Sequence, residues 1–223
     1  MKKIALLLVA LMMVSTAFAQ KSKKPAKGAA KVSKTVIGKG PNMTAELMKG
    51  KDAYRLYLLV GVGKKVDTVS LERYAFDPKA ADPKIKNLPE NLTITPFTAK
   101  GVKLYNITWI EKSLTEIPDK KEDATRTVSQ IWNLETKAQI YSNVQTATKI
   151  TEILYLDKGK NASQTSEKMR NEGFALTVTP EGDLVLKNRT QENRMGYDAA
   201  TDKYVAIKTA PQPGLAPAGK KKK

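Results

Sequence analysis

The chain has no cysteine and no histidine among its 223 residues, and these two absences exclude more chemistry than any motif adds. Without histidine, Ser-His-Asp and Cys-His arrangements cannot be assembled, nor can histidine-bearing zinc sites or the facial triad of non-haem iron. Without cysteine there is no thiol nucleophile, iron–sulfur cluster, CxxC redox pair or cysteine-linked acyl anchor. Serine–lysine chemistry lacks its signature too, because no serine has lysine three residues later. Long apolar runs are also missing. The longest is Ile4 to Val14, 11 residues, where a membrane-crossing helix needs roughly 20.

That run has a different meaning. Lys2 and Lys3 precede it, and Ser15-Thr16 leads from it into Ala17-Phe18-Ala19 and then Gln20. A positive start, a short apolar segment and a small-x-small cleavage site make a secretory signal peptide. Residues 1–19 are therefore expected to be removed, with cleavage fixed by Ala17 and Ala19 and the mature chain starting at Gln20. The product is expected to be non-spanning and to reside in the periplasm, at the outer membrane or outside the cell. The remaining 204 residues are enough for a core that buries about 70% of the unfolded surface, so no disulfide is needed.

Acidic residues are missing from both ends. The formal net charge is +17, yet residues 20–40 hold Lys21, Lys23, Lys24, Lys27, Lys31, Lys34 and Lys39 with no acid, and the chain closes on Lys220, Lys221, Lys222 and Lys223. Residues 41–209 carry 26 basic and 22 acidic side chains, close to balance. The end segments are low in complexity and poor in apolar surface, so 20–40 is expected to be a disordered linker and 210–223 a disordered tail. Acid-free lysine runs also suit an electrostatic tether to an anionic surface. They contain no arginine or aromatic residue to read or stack bases, so nucleic acid is not an expected partner.

The body, 41–209, reads as mostly β: a sandwich or half-open barrel with one or two short helices, or alternatively an α+β arrangement. Strands are expected at 53–60, 91–97, 102–110, 125–134, 138–144, 148–156, 174–179, 184–188 and 203–209, where β-branched and aromatic residues cluster between turn formers. Within 102–110, Val102, Leu104, Asn106, Thr108 and Ile110 share one face, while Lys103, Tyr105, Ile107 and Trp109 share the other. Hairpin turns are expected at Thr98–Gly101 and Pro180–Asp183. A helix is expected after Asn161, with Gln164 completing a capping box and Gly173 closing it; a second, short one is possible at 44–49. Leu92-Thr93-Ile94-Thr95-Pro96 recurs as Leu176-Thr177-Val178-Thr179-Pro180, which strand-then-proline hairpin entry explains without a duplication.

Candidate chemistry is thin. Gly61-Val62-Gly63 follows a strand, but Val66 stands where a dinucleotide fingerprint needs its third glycine, and Lys65 follows Gly63-Lys64 where a P-loop needs Ser or Thr. Two carboxylate pairs, Glu111 with Glu116 and Glu152 with Asp157, could serve glycoside hydrolysis, but with 22 acids in the chain some pair always looks suggestive, and solvated surface is the expected reading of both. Asp119–Asp123 is too rich in lysine for a calcium loop. Trp109, Trp132, Tyr105, Tyr141 and Tyr155 are either core or an aromatic platform. No catalytic residue, cofactor or metal ligand is expected.

The segment Ala17-Phe18-Ala19-Gln20-Lys21 resembles the leaders of Bacteroidota envelope proteins, where glutamine commonly starts the mature chain. The body resembles secreted or outer-membrane-associated proteins of that phylum, some described as immunoreactive antigens. The resemblance implies a non-enzymatic envelope protein that binds or scaffolds. Its expected partners are anionic lipid, lipopolysaccharide or another envelope protein. The alternative is a secreted carbohydrate-active enzyme using a carboxylate pair.

Overall fold

A computed structural model of the chain describes residues 33–63, 65–76 and 87–207. They form β1 (Lys34–Gly40), β2 (Met43–Lys49), β3 (Ala53–Val62), β4 (Lys65–Ala75), β5 (Pro89–Ala99), β6 (Val102–Ile117), β7 (Lys120–Asn133), β8 (Ala138–Tyr155), β9 (Ser163–Gly173), β10 (Ala175–Val178), β11 (Leu184–Lys187), β12 (Glu192–Asp198) and β13 (Lys203–Ala206). All pairings are antiparallel between consecutive strands, giving a first sheet β1–β4, a middle sheet β5–β9 and a third sheet β10–β13. The protein is mostly β.

Side-chain alternation along β6 places the layers. Ile107 and Trp109 point into a core with Leu47, Leu56, Leu58 and Val69 of the first sheet. Leu104 points the other way, joining Ala99 and Ile131 against Leu184, Tyr197 and Tyr204 of the third sheet. The middle sheet is thus covered on opposite faces by different sheets, because successive residues of a strand face opposite ways. The division between the two faces of β6 is the one its sequence implies. The first and middle sheets also meet along β1 and β5, where Gly38 lies so close to the Leu92 carbonyl that a Cβ would sit 2.5 Å from it.

The turns follow their residues. Lys100 and Gly101, both at positive φ (46° and 84°), close the β5–β6 hairpin, and Gly182 (φ 85°) sits in the Pro180–Asp183 turn before β11. Such conformations are open mainly to glycine in short hairpin loops.

Several expectations are corrected. Neither helix forms: residues 44–49 lie in β2, and the segment after Asn161 is β9, paired along its length with β8. Its Glu, Lys, Met and Arg favour a helix in isolation, but the long β8 offers an unpaired edge and pairing overrides propensity. Gly173 does hold positive φ (79°), at the end of β9 rather than of a helix. The strands foreseen at 138–144 and 148–156 are one strand, β8. Residues 34–40, assigned to the linker, form β1, so the folded body begins before residue 41. β4 and β12 were not foreseen. The two Leu-Thr-x-Thr-Pro segments do different work: Pro96 lies within β5, whereas Pro180 follows β10 in a turn.

Candidate functional site

Ala17, Ala19, Gln20, Lys21, Lys23, Lys24, Lys27, Lys31 and Lys220 to Lys223 fall outside the described residues. Lys34 and Lys39 do not belong to a tail. Both are in β1, and Lys34 Nζ stands 3.5 Å from Glu46.

The first carboxylate pair is separated by the pleat. Glu111 faces the first-sheet core and is 2% exposed, while Glu116, five residues on, takes the opposite face and is exposed. Glu111 accepts hydrogen bonds from Tyr74 Oη at 2.7 Å, Trp109 Nε1 at 2.9 Å and Arg126 Nη1 at 2.6 Å. A carboxylate so satisfied holds two sheets together, and burial pushes the Tyr74 hydroxyl well above its usual range. In the second pair, Glu152 is bridged by Lys120 and Lys168, both at 3.5 Å. Asp157 is turned into its own loop, where the Ala162 N–H and the Asn161 amide hold its carboxyl below the usual range. Neither pair faces across a cleft.

The aromatic candidates divide similarly. Trp109 and Trp132 are core, Tyr105 packs against the same cluster and Tyr141 against the third sheet, whereas Tyr155 is exposed near the end of β8.

One polar cluster was not visible in the sequence. Asp202, in the β12–β13 turn at φ 51°, accepts from Tyr197 Oη at 2.6 Å, Asn133 Nδ2 at 3.2 Å and Thr136 Oγ1 at 3.2 Å, clasping the third sheet to the β7–β8 turn. The Tyr197 hydroxyl, foremost, with Asn133 and Thr136, holds the Asp202 carboxyl below its usual range, while burial pushes the Tyr197 hydroxyl up to about 12. A carboxyl lowered in the folded state contributes stability above its unfolded value of about 3.9, which is lost as pH falls through the folded value. Thermal melts should therefore fall as pH drops below about 4. Asp202→Asn, which tolerates the same backbone, should melt lower at neutral pH and show a flatter acid limb. Parallel acid limbs would mean that Asp202 does not carry this dependence.

A groove of about 640 Å³ opens between β8–β9 and the β11–β12 turn. Gln145 and Asn171 present carboxamides from the face of the middle sheet that bears the third sheet, and Asn188, Arg189 and Thr190 line it from the turn. Asn188 Oδ1 accepts the N–H groups of Thr190 (2.9 Å) and Gln191 (2.8 Å), fixing the turn and leaving its own amide N–H groups as donors. Arg170 borders the groove but pairs with Thr148, so its side chain takes the other face, where Nε meets Glu172 at 3.1 Å. Lys187 bridges Glu192 at 3.7 Å. Arg189 remains the groove's cation without a carboxylate partner among the described residues. Neutral amides around one guanidinium suit a hydroxyl-bearing ligand with a single negative group.

Among the described residues, no group of three or more acidic side chains is placed to hold a metal ion, and no helix is long and apolar enough to cross a membrane. Comparison with family models, curated proteins and solved structures finds no match to this chain.

Proposed function

We propose that this chain is an exported, non-enzymatic protein of the cell envelope that binds or scaffolds at anionic surfaces. Lysine-rich segments on either side of a strand-built body supply the attraction. The observation that carries this reading is how charge divides once the fold is known. Within the body, acids and bases answer one another: Arg73 with Asp52, Lys112 with Glu90, Lys137 with Asp67, Lys149 with Glu167. Beyond it, nine lysines (21, 23, 24, 27, 31 and 220–223) stand in segments without one acid. Phosphorylated lipid headgroups, lipopolysaccharide and acidic envelope proteins are the partners this favours. The carbohydrate-active alternative needs two carboxylates facing across a cleft, and the pleat and the Asp157 loop turn the members of the two candidate pairs apart.

Near an anionic membrane each lysine contributes up to ~1 kcal/mol, so a third of nine engaged at once gives about 3 kcal/mol, on the order of 100-fold in affinity. Raising salt to ~0.5 M shortens the screening length from about 8 Å to roughly 4 Å and should remove most of it. The mature chain is expected to co-sediment with phosphatidylglycerol vesicles at low salt, and not with phosphatidylcholine vesicles. A full-length variant with these nine lysines changed to glutamine should bind on the order of 100-fold more weakly. Equal binding by that variant, at low and high salt alike, would place the affinity on the folded body and refute the tether.

A further inference from the structure

Among the described residues the middle sheet extends past both of its neighbours, and its free end is apolar. Two hairpin ends meet there: the β6–β7 turn at Pro118-Asp119 and the β8–β9 loop from Leu156 to Ala162. They are locked together, the Ile153 N–H donating to the Asp119 carbonyl at 2.9 Å and Tyr155 Oη to the Asp119 carboxylate at 2.8 Å. At this end Ile117, Ile153, Leu154, Tyr155 and Leu156 are exposed at 56, 39, 46, 38 and 68%. Register divides them between the faces. Ile117 and Leu154 lie on the face that the first sheet covers nearer the core, while Ile153 and Tyr155 lie on the opposite face.

We infer that this free end is a lipid-contacting tip, immersed in the interfacial zone of an anionic bilayer. The inference rests on the anionic-surface reading above and adds the part of the body that touches the surface. A flat protein partner would cover one face of a single sheet and leave the other wet. A fluid interfacial layer surrounds both faces at once, which is what an end apolar on both sides needs. The side chains suit the depth profile of that zone: aliphatic groups at the apex, a tyrosine behind them, and lysines able to reach headgroups with their stems on apolar surface. Lys158 and Lys160 lie in the loop itself, Lys160 Nζ standing 4.5 Å over the Tyr155 ring. Of the acids at this end, Asp119 is engaged with Tyr155 and with Lys160 at 4.0 Å and Asp157 with its own loop, while Glu116, beside Ile117, is exposed and outnumbered by Lys158 and Lys160. A modest apolar contact alone holds a protein weakly to membranes, and a basic segment alone holds it reversibly; the two together make a stable anchor.

The absence of cysteine makes the test clean. In the mature full-length chain, Leu156→Cys carries a polarity-sensitive fluorophore, and Ala199→Cys, in the β12–β13 turn at the other end of the sheet, serves as control. On adding phosphatidylglycerol vesicles, the probe at 156 should brighten severalfold, shift to the blue and be quenched by nitroxide-labelled lipid, while the probe at 199 stays unchanged. Ile117→Ser with Leu156→Ser, all lysines retained, should weaken vesicle binding about tenfold, equivalent to about 1.4 kcal/mol. Co-sedimentation with an aqueous probe at 156 overturns the tip and leaves the lysine reading standing. No vesicle binding at all overturns both. Blue-shifting at 156 without lipid, rising with protein concentration, would mean that a second copy covers the tip, and overturns the inference.

Discussion

Replacing Glu111 with alanine is expected to lower the unfolding free energy of the body by about 2–4 kcal/mol, measured by urea denaturation. The carboxylate is buried and is the acceptor for Tyr74 Oη and Trp109 Nε1, and each buried donor left without an acceptor costs roughly 1–3 kcal/mol. Arg126 adds little to the loss, because its side chain is 46% exposed and water can take over its hydrogen bonds. Glu111→Gln keeps one acceptor oxygen and should lose about half as much. The comparison also separates structure from chemistry, since a catalytic carboxylate changed to its amide removes activity with little change in stability. If Glu111→Ala unfolds within ~0.5 kcal/mol of the parent, the level of an ordinary surface substitution, the cluster does not hold the sheets together.

Gly182→Ala should be at least as damaging, for a different reason. Gly182 has φ 85°, and a Cβ there would lie 2.5 Å from Ala99 Cβ, 2.6 Å from Ala99 Cα and 2.6 Å from the Thr98 carbonyl oxygen. The neighbours are largely backbone, of the hairpin end between β5 and β6, and cannot swing aside. Left-handed strain of ~1–2 kcal/mol adds to overpacking of ~1–3 kcal/mol, so a loss of about 3 kcal/mol is expected. The Gly182 carbonyl also accepts from Tyr204 Oη at 2.8 Å, so displacing this turn disturbs the docking of the third sheet as well. Gly101→Ala is the control: φ is 84° but nothing lies within 4 Å, so only the strain should register. Equal losses at the two sites would show that the close approach at Gly182 contributes nothing.

Such features set the limit of what the sequence discloses. Local signals were legible wherever one residue type answers one local demand. Lys100-Gly101 and Pro180–Asp183 read as turns because few residues adopt those backbone angles, and the two faces of β6 were readable because each is covered. β9 was misread because nothing local in Ser-Gln-Thr-Ser-Glu-Lys-Met-Arg records that β8 lies alongside it. The single strand β8 was read as two because Gln145 and Ala147 favour strands only weakly and Thr146 stands alone between them, although pairing with β7 continues through all three. β4 and β12 carry charged residues on their exposed faces, which hides their apolar alternation. Glu111 could be named as a carboxylate near Trp109, but Tyr74 lies 37 residues before it and Arg126 15 after, so its saturation is a property of tertiary structure. The groove is the same case: Gln145, Asn171 and Asn188 become neighbours only when the third sheet folds back over the middle one.

β9 closes the middle sheet with eleven residues whose outer edge has no strand beside it among the described residues. An open edge of that length is a template on which a second molecule could extend the sheet and begin a fibre. Two copies meeting as symmetric antiparallel strands must pair about a central residue. Centred on residue 167, Glu167 faces Glu167; on 168, Lys168 faces Lys168; on 169, Lys168 faces Arg170. Like charges directly opposite one another destabilise a strand pair. The order of charges along this one strand therefore penalises the three registers centred on residues 167 to 169, which lie at the middle of β9, and so works against its fully overlapped pairing with a second copy.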